Sequence, residues 1–218
     1  ITAPPTGIYT VIATTADSGH DDTGSYLLTM IQTPGAFDVP VGGEGGSLTN
    51  GGNHTGVLHL GDLDAWTLVA TAGEAIAINI GETGANSALV PWIRVFGPTG
   101  PIVAGGNNWG DLAAQVTVTA PTTGIYTVVV STADSGNDAT GTYQITAIHL
   151  AGAPIVSPGD QGGGLTQGGN HAGAVHLGDL DPWRVTATAG ETIVVNIGET
   201  GANSGFVPWI RVFGPTGT

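Results

Sequence analysis

Cysteine and lysine are absent, and the 218 residues hold a single methionine. Without cysteine no disulfide can staple a small core, so every folding unit must rest on apolar burial and backbone pairing. The only basic residues are Arg94, Arg184 and Arg211, against 17 Asp and Glu, for a formal net charge of −14. Phosphate is bound chiefly through Lys and Arg, so nucleic acid is not an expected partner, and neither is an anionic membrane surface. No apolar run approaches the ~20 residues of a membrane span, which argues against membrane insertion. The nucleophile elbow, the HExxH zinc motif, phosphate loops and dinucleotide loops are missing too, so an enzyme is not expected. With no lysine, trypsin finds sites only at the three arginines, which suits an extracellular or cell-surface protein.

What is present reads as strands and turns. There are 38 Gly and 13 Pro, hydrophobic residues make up 40%, and no long helical periodicity appears. That apolar content supplies a core, and the glycines and prolines punctuate it.

The stretch HLGDLDAWTLVATAGEAIAINIGETGAN, beginning at His59, returns from His176 as HLGDLDPWRVTATAGETIVVNIGETGAN, 117 positions on and without insertion. The same shift carries Gly7 and Tyr9 onto Gly124 and Tyr126. A period this long is close to the commonest domain size, so each copy is expected to be a complete folding unit. Residues 1–35 then form the C-terminal part of a preceding repeat. Residues 36–152 form a whole repeat, its core at 56–150 behind a Gly-rich linker, and 153–218 the N-terminal part of a following one. Fragments of a β domain leave apolar faces wet and strand edges unpaired. Either flanking sequence of a longer array completes the two partial repeats, or the late half on one molecule completes the early half on its neighbour.

Period-two alternation marks the strands of the whole repeat. Trp66, Leu68 and Ala70 alternate with Thr67, Val69 and Thr71; Ile76, Ile78 and Ile80 alternate with Ala77 and Asn79. Further strands are expected at Val57–Leu60, Pro91–Phe96, Pro101–Ala104, Leu112–Thr119, Gly124–Ala133 and Thr140–Leu150, with a short one near Ser47–Asn50. The fold class is therefore all-β, tandem antiparallel jelly-roll-like β-sandwiches.

If successive strands alternate in direction, every second loop lies at one pole. Those loops carry Asp62 and Asp64, Glu82 and Asn86, Asn107, Asn108 and Asp111, then Asp134, Asn137 and Asp138. Calcium takes six to eight oxygen ligands, which carboxylates and Asn side chains supply. Asp62, Asp64, Asn107, Asp111, Asp134, Asn137 and Asp138, with Asp179 and Asp181 in the next copy, are candidate calcium ligands. The structural alternative is that these residues accept backbone N–H bonds in tight turns. His54, His59, His171 and His176 read as turn or surface histidines, since their spacing alone is weak evidence for zinc.

Trp92, Arg94 and Phe96 alternate with Ile93 and Val95, and recur as Trp209, Arg211 and Phe213. With Ile93 and Val95 inward, an aromatic and arginine stripe lies outward as a candidate interface or binding surface.

Together, GD-x-D-x-W, the ATAGE turn, WIRVFGPTG, APTTGIYTV and GTYQITA resemble the bacterial pre-peptidase C-terminal domain over roughly Gly56 to Ile148. The resemblance implies a jelly-roll sandwich of an exported bacterial protein, with calcium used by related collagen-binding modules. Here Ala65 or Pro182 stands between the second Asp and the aromatic, where the family commonly has none. The leading expectation is an extracellular structural protein whose repeats build a fibre, stalk or surface filament. Its partner would be itself, through head-to-tail domain contacts or inter-chain strand complementation. The alternative is a substrate-binding accessory module of a secreted enzyme or adhesin, taking polysaccharide or collagen-like protein.

Overall fold

The computed structural model describes residues 6–16, 18–19, 21–35, 37–39, 41–85, 87–107, 111–136, 138–201 and 205–217. Its strands are β1 (Gly45–Ser47), β2 (Asn53–Leu58), β3 (Asp64–Ala70), β4 (Ala75–Glu82), β5 (Pro91–Phe96), β6 (Ile102–Asn107), β7 (Ala113–Thr119), β8 (Gly124–Thr132), β9 (Gly141–His149), β10 (Gly163–Gly164) and β11 (Trp183–Arg184). No helix among the described residues is long and apolar enough to cross a membrane.

Strands β1 to β9 make two sheets, ordered β1-β3-β8-β5-β6 and β2-β9-β4-β7. The alternation seen in the sequence is what lets them face each other. Ile76, Ile78 and Ile80 of β4, Ile93 and Val95 of β5, Tyr126, Val128 and Val130 of β8, and Tyr143 and Ile145 of β9 are sealed in one core. A fully buried side chain of this size contributes about 1.5–3 kcal/mol, so this row supplies what disulfides do not. The β7–β8 turn is tied to the core by Tyr126, whose hydroxyl donates to the Thr122 carbonyl at 2.6 Å.

Strand pairs are antiparallel throughout except β1 with β3 and β10 with β11, and the cross-sheet turns are short. Consecutive strands from β2 to β9 therefore run in alternating directions. The loops after β2, β4, β6 and β8 share one end, where Glu82 N–H donates to Leu112 O, Thr83 N–H to Thr142 O and Ala133 N–H to Val90 O. Asn86, Asn108 and Asn137 belong to these loops but lie outside the described residues.

Beyond His149 the chain crosses the sandwich and begins the motif again. Asn53 Nδ2 donates to Asp160 at 3.1 Å, and Asn53 N–H to the Ser157 hydroxyl at 2.9 Å. β10 pairs with β11 in the register that β1 takes with β3: Gly163 faces Trp183 as Gly46 faces Trp66.

Candidate functional site

The parallel pairing of β1 with β3 builds the site. Gly45 faces Ala65, so Glu44 falls opposite Asp64 and its N–H donates to Asp64 Oδ1 at 3.3 Å. Asp62 stands in the β2–β3 turn, where its Oδ1 accepts from Leu63 N–H at 2.8 Å. Carboxylate oxygens of Glu44, Asp62 and Asp64 come within 4.8 Å of one another. Asp64 is almost wholly buried, 1% exposed, and holds the inner end of a hydrogen-bonded chain. Tyr143 Oη donates to its Oδ2 at 2.6 Å, and Trp66 Nε1 donates to that hydroxyl at 3.0 Å. Burial pushes the Asp64 carboxyl up to about 6; the Tyr143 hydrogen bond holds it down in part, while Asp62 and Glu44 push it further up. Burial, with the Asp64 charge next, drives the Tyr143 phenol well above the usual range, so Tyr143 remains a donor.

The following copy repeats the arrangement with one change. Asp160, Asp179 and Asp181 form a second trio within the same distance, but the outer acid has moved by one residue along the Gly-rich segment. Glu44 corresponds in sequence to Gln161, and Asp160 to Gly43. Burial pushes Asp181 up to about 7, helped by the neighbouring Asp179 and Asp160 charges. Asp179 is raised as well, by burial first and then by Asp160. Each trio also contains a buried oxygen without a hydrogen-bond partner, Glu44 Oε2 in the first and Asp181 Oδ1 in the second. An all-oxygen donor set with an orphaned buried oxygen fits a hard divalent cation, and either trio could hold a metal ion.

The other sequence candidates fall elsewhere. Among the described residues, neither Asp134 nor Asp138 joins a trio. Asp134 accepts from the Thr132 hydroxyl at 2.6 Å and from the backbone N–H of Gly136, Asp138 and Ala139, and so organises the β8–β9 turn. Burial would raise Asp134, but these bonds outweigh it and hold the carboxyl down at about 2. Asn107 ends β6, opposite Trp92, and Asp111 is exposed before β7. Sequence reasoning missed Glu44 and Asp160, which it left in linkers. The available signal was one acid close before a Gly pair in each copy, VGGEGGSL and PGDQGGGL.

On the outer face of β5, Arg94 Cζ lies 4.4 Å over the Trp92 ring. Arg211 lies 4.7 Å over Trp209 and 5.8 Å over Phe213. Trp92, Arg94 and Phe96 are half-buried. Arg94 Nη2 donates to the Ser131 hydroxyl at 3.2 Å, and burial lowers its guanidinium pKa. His54 lies in β2 opposite Ile145 rather than in a turn, and His171 follows the turn at 167–168; Nε2 of each accepts from a backbone N–H, of Thr49 and Thr166, and each ring stands about 5 Å from a tryptophan, Trp66 and Trp183.

No family model and no curated protein matches this chain. Among solved structures it is similar to the pre-peptidase C-terminal domain of a Bacillus anthracis collagenase, the family its motifs resemble (TM-score 0.39, 18% identity, covering 48% of this chain and 95% of that one). It is also similar to a periplasmic inhibitor of g-type lysozyme from Aeromonas hydrophila (TM-score 0.35, 18% identity, covering 48% and 97%). A third is a surface-associated copper-binding protein important in Methylomicrobium album copper acquisition (TM-score 0.39, 12% identity, covering 49% and 98%).

Proposed function

We propose that this chain is part of an exported, non-catalytic structural protein in which β-sandwich repeats follow one another head to tail to build a fibre, stalk or surface filament. Calcium at each acidic trio would tune it. The observation that carries this reading is the seat of the following unit's GD turn on the whole sandwich. Asn79 Nδ2 of β4 donates to Asp179 O at 2.9 Å. A Cβ on Gly81 would overlap the backbone of Leu177 and Gly178, so glycine is required on β4 for the two units to touch. Asp179 belongs at once to this joint and to the second trio. Glu44, Asp62 and Asp64 would hold one ion and Asp160, Asp179 and Asp181 the other. The ion offsets charge that otherwise drives the carboxylates apart, and at the second trio it stiffens the joint.

Hydrogen exchange tests this directly. Amides in 176–180 are expected to be protected, more so in calcium than in chelator, and to exchange severalfold faster in Asn79→Ala and Gly81→Ala. Exchange in 176–180 at the rate of open coil, with calcium present, would overturn the reading. The alternative role, docking polysaccharide or collagen-like protein on the Trp92 stripe, draws on the arginine-stacked rings; retention on either ligand, lost in Trp92→Ala, would favour it.

A further inference from the structure

The turn that leads into β2 also holds the chain that leaves β9. Gly51 N–H donates to Ala147 O at 2.7 Å, and Asn50 Oδ1 accepts from His149 N–H at 2.9 Å, so residues 49–53 cap the end of β9. The outgoing segment then lies on this turn. Ile155 N–H donates to Asn50 O at 3.0 Å, and the Ser157 hydroxyl donates to Gly51 O at 3.4 Å while accepting from Asn53 N–H at 2.9 Å. Gly51 has φ of +80°, and a Cβ there would overlap Ile155 O. Glycine is what admits the contact.

His54 keeps the turn closed. Its Nε2 accepts from Thr49 N–H at 3.0 Å and lies 3.1 Å from the Thr49 hydroxyl, while Gly52 N–H donates to Thr49 O at 2.9 Å. With Nε2 accepting, the proton of the neutral ring sits on Nδ1. Gly52 passes so close that a Cβ would overlap Thr49 Oγ1 and crowd His54 Nε2. The ring also stands edge-on to Trp66, 5.3 Å between centroids, which fixes it against β3.

The same lock recurs where no strand surrounds it. His171 Nε2 accepts from Thr166 N–H at 3.2 Å, its ring lies 5.2 Å from Trp183, and a Cβ on Gly169 would meet Thr166 Oγ1 and His171 Nε2. TNGGNH in one copy and TQGGNH in the other therefore encode the closure locally.

We propose that His54 is a proton-operated latch, whose protonation opens the 49–53 turn and releases the segment 153–157 that leaves the sandwich. A protonated ring donates from both nitrogens, so Nε2–H would point at the Thr49 N–H. The Thr49 hydroxyl can reverse its role, but the amide cannot. Burial alone pushes the His54 pKa below the ordinary histidine value. The charged groups on the neighbouring elements are otherwise engaged: Asp64 of β3 by Tyr143, His149 of β9 by Glu74, and Asp160 by Asn53. The neutral ring's stabilisation is thus fully present above the unfolded value of about 6.5 and is lost as pH falls below it. Asp64 works in the opposite sense, so the latch is read from local opening rather than from global melting.

Residue-resolved hydrogen exchange on the full chain, expressed as protection relative to open coil, tests this between about pH 7.5 and about pH 4.5. The Gly51 and Ile155 amides are expected to lose about tenfold or more of their protection on acidification, while the Ile78 amide of β4 keeps its own. His54→Gln places an amide oxygen where Nε2 accepts and does not titrate, so its Gly51 and Ile155 protection should be the same at both ends of the range. Equal protection at both pH values in the unaltered chain, or an acid loss in His54→Gln as large as in the unaltered chain, overturns the proposal. Should His54→Gln leave the turn open throughout, the unaltered chain still decides. The midpoint at which Ile155 loses protection must coincide with the titration of the His54 ring, followed by its imidazole nitrogen shifts, and a separate midpoint overturns the proposal.

Discussion

Ile76, Ile78 and Ile80 and the later set Ile193, Val195 and Ile197 carry one pattern through one motif, yet the first is sealed and the second half-open to water. Their sequences differ little, Ala77 and Ile78 standing where the later copy has Val194 and Val195, but the first row lies in β4 and the second forms no strand among the described residues. The difference lies in the neighbours: β9 and β7 flank β4 and β8 packs in the facing sheet, and no strand among the described residues covers the second set. Burial is therefore a property of the assembled sheets. The acidic trios teach the same lesson in polar form, since Asp64 has its tyrosine and Asp181 does not.

The comparison breaks most sharply at the isoleucines. Ile78→Ala should destabilise the sandwich by about 3 kcal/mol, whereas Val195→Ala at the matching place should cost close to nothing in dilute chain, as urea unfolding would read. Next comes the Trp66–Tyr143–Asp64 chain. Tyr143→Phe strands a buried indole N–H and a buried carboxylate and should cost about 1–3 kcal/mol, while Tyr26→Phe leaves the dilute chain's melting unchanged.

The pH response is smaller. Asp64 sits at about 6 in the folded sandwich against ~3.9 unfolded, so below that lower value both states are protonated and its contribution is fully present. Between the two values the unfolded chain gives up a proton that the folded one keeps. In chelator, stability should therefore fall as pH rises from 4 to about 6 and level off above, by on the order of 1–2 kcal/mol after solvent screening. Thermal melts at pH 4.5 and 7 measure it.

Calcium should act in the opposite sense at neutral pH. For a dissociation constant of about 10⁻⁴ to 10⁻³ M, 1 mM calcium contributes roughly 0.4 to 1.4 kcal/mol per site, an upward melting shift that Asp62→Asn should reduce. Smallest is the stripe: Arg94→Ala loses the stack on Trp92 and the Ser131 bond, for about 0.5–1 kcal/mol by urea unfolding.

Much of this was legible because a strand's side-chain period is two, and a sandwich needs one apolar face per strand. The strand positions, the sealed rows and the GD-x-D turn all follow from neighbours a few residues apart. Glu44 and Asp160 did not, because they reach their trios through a parallel pairing that spans about twenty residues of Gly-rich chain without alternation. Asp134 was drawn into the expected ligand set by sharing a pole with Asp62. A pole is wider than a coordination sphere, and its oxygens are taken by the N–H groups of its own turn.

By itself the sequence determined that this is a repeating, acidic, all-β chain without disulfides, because composition, period and alternation are local and additive. Only the tertiary structure decided which acids meet, which glycine admits the next unit, and which apolar rows stay open. Those depend on strands far apart in sequence finding one another.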